Sequence, residues 1–166
     1  MDKDHSVRVC LGGTFSPLHR GHLDLLKRAF QVGDVVLLGL TSDRFASLHR
    51  NREIRSYRDR RSDLERVLGY LAERYGNRYE ILMIDDPVGF ADRPDIDSIV
   101  VSEETEKGAD TINELRISKD LAPLKKIVVE MRTDTSGRRI SSTSIRNGEV
   151  DSGYLLDKEK KYQSGG

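Results

Sequence analysis

His19 and His22 stand three residues apart in GGTFSPLHRGH, positions 12–22, directly after the apolar run VRVCL at 7–11. An imidazole can bond a phosphate oxygen, move a proton near neutral pH or ligate a metal. Gly12 and Gly13 let the backbone approach a bound molecule and adopt angles that other residues resist. Gly21 and His22 begin the next helix, whose free N–H groups and positive dipole end attract phosphate. A histidine there can donate to a phosphate oxygen. The bland alternative is a glycine-rich turn carrying two surface imidazoles. A zinc site would need further ligands, and only His5 and His49 remain among the histidines, so no metal site is expected.

Such a loop needs a strand before it and a helix after it. VRVCL at 7–11 and VVLLGL at 35–40 are short runs rich in β-branched residues, the pattern of fully buried strands. Between them Leu23, Leu26 and Phe30 recur at helical spacing, so residues 21–30 make a crossover helix and the unit is βαβ. Leu64, Val67, Leu68, Leu71 and Tyr75 form an apolar stripe that predicts a helix over 57–75. Further strands are expected at 79–84, 98–101 and 126–130, with a helical segment near 105–119. Five strands alternating with helices give an α/β fold with a doubly wound, five-stranded parallel sheet. Ligands in such sheets bind beyond the carboxyl ends of the strands, here the loops after residues 11, 40, 84, 101 and 130.

The 166 residues suffice for one domain, expected over 1–151, followed by a polar tail, 152–166, that reads as a frayed terminus or an artificial extension. Lys plus Arg and Asp plus Glu number 28 each, so no net field favours nucleic acid or an anionic membrane. No apolar stretch approaches the roughly 20 residues of a membrane helix. The amino terminus has no hydrophobic signal region and Cys10 has no internal partner, which suits a reducing cytoplasm. Cys10 itself is expected to be a small core residue. The oligomeric state is left open.

The motif GGTFSPLHRGH, with His19-Arg20-Gly21-His22 as its H-x-G-H element, resembles the nucleotidylyltransferase signature. LGLTSD (38–43), SYRDRRSDL (56–64), DPVG (86–89), VVSEET (100–105), INELR (112–116) and ISSTSIRNGEVD (140–151) extend the likeness. Together they resemble the archaeal phosphopantetheine adenylyltransferases, and the matching domain of animal bifunctional CoA synthases, over about residues 7–151. The resemblance implies a Rossmann-like nucleotidylyltransferase fold and attack by the phosphate of 4'-phosphopantetheine on the α-phosphorus of ATP. Products would be dephospho-CoA and pyrophosphate, with Mg²⁺ carried on the ATP phosphates. His22 would stabilise the pentacovalent phosphorus, His19 would help form the nucleotide site and Thr14 would bond the incoming phosphate. Gly12, Gly13, Phe15, Glu104 and Arg116 join the nucleotide side, where Ser141, Ser142 and Thr143 would take the β- and γ-phosphates. Thr41, Arg50, Arg52, Arg60, Asp86 and Ser102 fall to the acceptor side. Arg50, Arg52 and Arg60 belong to a run of six arginines in residues 50–61, of which about four are expected to be solvated.

Three positions depart from the family pattern. Ser16 stands where Asp is common, Leu48 about where a lysine bridges the reacting phosphates, and Ser144 where Arg follows ISST. Arg50 or Arg52 is the expected replacement for the lysine, a permanent charge with different reach. The departures also admit a nucleotidylyltransferase with another phosphorylated acceptor, such as FMN or glycerol phosphate with CTP, or a nucleotide-binding regulator without turnover.

Overall fold

A computed structural model describes residues 6–16, 18–48 and 54–130. Among these residues five strands, β1 (Arg8–Gly13), β2 (Val35–Thr41), β3 (Arg78–Ile84), β4 (Ser98–Ser102) and β5 (Lys125–Val129), form one sheet in the order β3-β2-β1-β4-β5, and every pairing among them is parallel. Among the described residues four helices, α1 (Arg20–Val32), α2 (Asp43–Leu48), α3 (Tyr57–Tyr75) and α4 (Glu106–Ser118), lie in the connections.

Period-two alternation along the strands sorts the core into two layers. Val9 and Leu11 of β1, Val36, Leu38 and Leu40 of β2, and Val100 of β4 pack against the apolar stripes of α1 and α3. Cys10, Val35, Leu37, Ile99 and Val101 face the other way, onto Ala109 and Ile112 of α4 and onto Ala91 and Ile96. Burial in that second layer pushes the Cys10 thiol up to about 12, as a core thiol requires.

Chain order reverses between β1 and β4. β1 pairs with β2 over six residues, but with β4 only at Val9–Ser98 and Cys10–Ile99. Beyond Ile99 the two central strands part, and the gap opens at their carboxyl ends.

The helix after β1 is tied to the strand that follows α3 by one side chain. Asn77 Nδ2 donates to the carbonyl oxygens of Phe30 and Gly33, each at 2.6 Å. These are carbonyls the end of α1 leaves without a helical donor. Asn77→Ala is expected to destabilise the fold by about 1–2 kcal/mol, two such bonds being lost. Urea unfolding of the two proteins measures the difference.

The observed elements differ from the sequence expectation in detail. β1 runs on through Gly12 and Gly13, which pair with Gly39 and Leu40 inside the sheet instead of forming the loop. The six-residue helix α2 was not foreseen, since so short a segment shows no periodicity. The tail 152–166 lies outside the described residues.

Candidate functional site

The gap between β1 and β4 is a cleft of about 450 Å³. On the β1 side it is lined by Leu11, Gly12, Gly13, Thr14, Phe15, His19 and His22, and on the β4 side by Val100, Val101, Ser102, Glu104 and Thr105. Thr41 at the end of β2 and Phe45 of α2 close one flank.

The two histidines build the start of α1. His19 is the N-cap residue, and its Nδ1 accepts from the backbone N–H groups of Gly21 (3.1 Å) and His22 (3.4 Å). His22, at the third helical position, accepts the His19 backbone N–H on its own Nδ1 at 3.3 Å. This is a capping box made of two imidazoles in place of the usual hydroxyl and carboxylate. The rings stack with centroids 3.8 Å apart. Because both Nδ1 atoms accept, each neutral ring carries its proton on Nε2. Burial holds His19, only 3% exposed, neutral by lowering its pKa from 6.5 to about 4.

This geometry corrects one sequence expectation. The Gly21 and His22 N–H groups, expected to await phosphate, are taken by the His19 ring. Two of the N–H groups at the start of α1 are therefore already satisfied by an imidazole.

Phe15 supports the pair from below. Its ring packs 4.9 Å from that of His22, and its backbone has φ 50°, a left-handed conformation costly for a residue with a Cβ. The unusual backbone angle expected of a glycine thus falls on Phe15, and what Gly13 supplies is room. A Cβ at Gly13 would come within 3.0 Å of the Phe15 ring.

Thr14 Oγ1 lies 3.0 Å from Thr41 Oγ1, and both residues line the cleft. Ser102 is buried, and its backbone N–H donates to Thr105 Oγ1 at 2.9 Å, closing the turn that leads into α4. Ser16 is buried as well.

Three expected binding residues are placed elsewhere. Arg116 is at the far end of α4, buried, and its guanidinium donates to the carbonyl oxygens of Ala91, Arg93 and Ala122, each at 2.8 Å. It secures the segment before β4 and does not reach the cleft. Asp86 Oδ1 accepts the backbone N–H groups of Val88 and Gly89, at 2.9 and 2.6 Å, so its carboxylate folds the loop after β3. Arg60 is fully buried among protein groups and does not line the cleft. Arg50, Arg52, Ser141, Ser142, Thr143 and Ser144 lie outside the described residues, and Leu48 ends α2 with 63% exposure.

The cleft wall also contains Thr105, Gly108, Ala109 and Ile112 of the β4 side, none of them foreseen. Their spacing of three, four and seven residues is one face of a helix and was present in the sequence.

Among the described residues no helix is long and apolar enough to cross a membrane. A family model for cytidylyltransferase-like proteins matches residues 10–148. The phosphopantetheine adenylyltransferase of Thermococcus gammatolerans is 42% identical over 149 residues, covering 87% of this chain and 90% of its own. That of Pyrococcus abyssi is 41% identical over 146 residues, covering 87% and 91%. The crystal structure of a protein with unknown function from Archaeoglobus fulgidus is similar with a TM-score of 0.67 at 32% identity, over 81% of this chain and 100% of that one.

Proposed function

Because the chain belongs to the cytidylyltransferase-like family and, within it, to the phosphopantetheine adenylyltransferases, we propose that it transfers the adenylyl group of ATP to 4'-phosphopantetheine. A phosphate oxygen of the acceptor bonds to the α-phosphorus of ATP, the bond from that phosphorus to the bridging oxygen breaks, and pyrophosphate leaves with the electron pair. Dephospho-CoA is the other product, which places the reaction in CoA biosynthesis.

The observation that carries this reading is the orientation of His22 in the capping box. With Nδ1 accepting from the backbone, the neutral ring presents Nε2–H as a donor. A donor is what an α-phosphate needs as charge gathers on its equatorial oxygens, and no base or covalent intermediate is required. His19 fixes the start of the helix and the stacking of the His22 ring. Thr14 meets the acceptor phosphate, Gly12 and Gly13 keep the floor clear of side chains, Glu104 just after β4 flanks the nucleotide, and Ser102 at the end of β4 falls to the acceptor. Ser141, Ser142 and Thr143 bind the β- and γ-phosphates, and Arg50 or Arg52 supplies the positive charge that Leu48 lacks.

Mg²⁺ would be held by the ATP phosphate oxygens, the hard ligands it prefers. When bound it offsets part of the triphosphate charge.

The test is pyrophosphate release with ATP, Mg²⁺ and 4'-phosphopantetheine, repeated without acceptor and with CTP, FMN and glycerol phosphate. Release is expected only when ATP and phosphopantetheine are both present. Preference for another pair would overturn the assignment.

A further inference from the structure

The geometry points to Arg60 as a positioning residue that works through Thr41 to aim the Thr14 hydroxyl into the cleft. This inference rests on the reading above, in which Thr14 meets the acceptor phosphate.

Arg60 of α3 is 0% exposed. Its Nε donates to the Arg55 carbonyl at 2.8 Å, Nη2 donates to Asp43 Oδ1 at 3.1 Å, and Nη1 donates both to the Thr14 carbonyl and to Thr41 Oγ1 at 3.2 Å. The Tyr57 ring lies 5.9 Å from its carbon centre. This is a rigid fork held on several sides, and the charge it carries is permanent.

Thr41 is the joint. A hydroxyl that accepts from a guanidinium turns its own proton away from that cation. The acceptor within reach is Thr14 Oγ1, 3.0 Å away. Thr14 Oγ1 then accepts a hydrogen bond from the Thr41 hydroxyl and directs its own O–H toward the cleft, where an anionic oxygen accepts it. Each bond in the series, Arg60 to Thr41 to Thr14, polarises the next. The second Nη1 bond holds the Thr14 carbonyl immediately before the left-handed Phe15, so the same guanidinium restrains both ends of Thr14.

A merely structural arginine would change stability and the amount of active enzyme while leaving both KM values alone. The relay predicts a different result. Thr41→Val, which keeps the side-chain shape and removes the hydroxyl, is expected to raise KM for 4'-phosphopantetheine about tenfold while KM for ATP stays within about twofold, the size of one charge-assisted bond. Thr41→Ser restores the wild-type value, and Thr41→Val adds nothing in a Thr14→Ala background. Equal changes in both KM values, or an undiminished effect in Thr14→Ala, would overturn the relay. A second arm needs no substrate. Amide exchange across residues 12–16 of the free protein is expected to quicken in Arg60→Lys while β2 keeps its protection, and unchanged exchange would overturn the positioning role. Absence of any turnover with phosphopantetheine by the unaltered protein would refute the functional reading instead, and the exchange result would still decide the role of Arg60.

Discussion

His22→Gln is expected to fold normally and to lose about 10²–10³-fold in kcat, the size found when one donor to a developing oxyanion is removed. Glutamine is a favoured residue at the third position of a capping box, so it can still accept the His19 backbone N–H, now taken by His22 Nδ1 at 3.3 Å. What it cannot do is hold a rigid ring stacked on His19 with the proton fixed on Nε2. His22→Ala removes both the donor and the cap, and should lose stability together with rate. Single-turnover pyrophosphate release and thermal melting, run on both variants, separate the two contributions. Retention of kcat within about threefold by His22→Gln would remove His22 from the chemistry.

The second large effect is a loss of stability in acid caused by His19. Its folded pKa is about 4 against 6.5 for an ordinary histidine, and burial is the cause. Between these values the unfolded chain binds a proton that the folded chain does not. Stability is therefore fully present above pH 6.5, falls as the pH drops through that window and levels off below about pH 4. At about 1.4 kcal/mol for each tenfold difference in proton affinity, the loss reaches about 3 kcal/mol. The chemistry agrees, because a proton on Nδ1 would end its acceptance from Gly21 and His22. His19→Asn keeps a good N-cap acceptor and removes the titrating ring. Urea unfolding from pH 7 to pH 4 should give a flatter profile for the variant, and identical profiles would show that His19 is not the group responsible.

Much of this arrangement was legible before any coordinates. β1, β2 and β4 were visible because strands covered on both faces read as unbroken apolar runs, and α3 because Leu64, Val67, Leu68 and Leu71 keep helical spacing. The position of the histidine pair followed from that frame. Its hydrogen bonding did not, since ring nitrogens are assigned by partners that spacing alone leaves unspecified. Arg60 shows a subtler failure. It lies four residues before Leu64, so it continues the buried stripe by one turn, but the family resemblance put it on the acceptor side. Arg116 failed because of its partners. It sits one helical turn, about 6 Å, beyond Ile112 of the cleft wall, and there the carbonyls of the segment before β4 claim its guanidinium.

The meagre pairing between β1 and β4 makes the molecule a book with a narrow spine. One leaf is β3-β2-β1 and the other is β4-β5, joined by strand pairing at Val9–Ser98 and Cys10–Ile99 and by the Asp97 N–H to the Arg8 carbonyl. A guest lodged at the open edge touches both leaves and supplies rungs that the ladder omits. Its binding energy then acts as a clasp across the whole fold, so occupancy of the cleft and resistance of the two leaves to coming apart rise together.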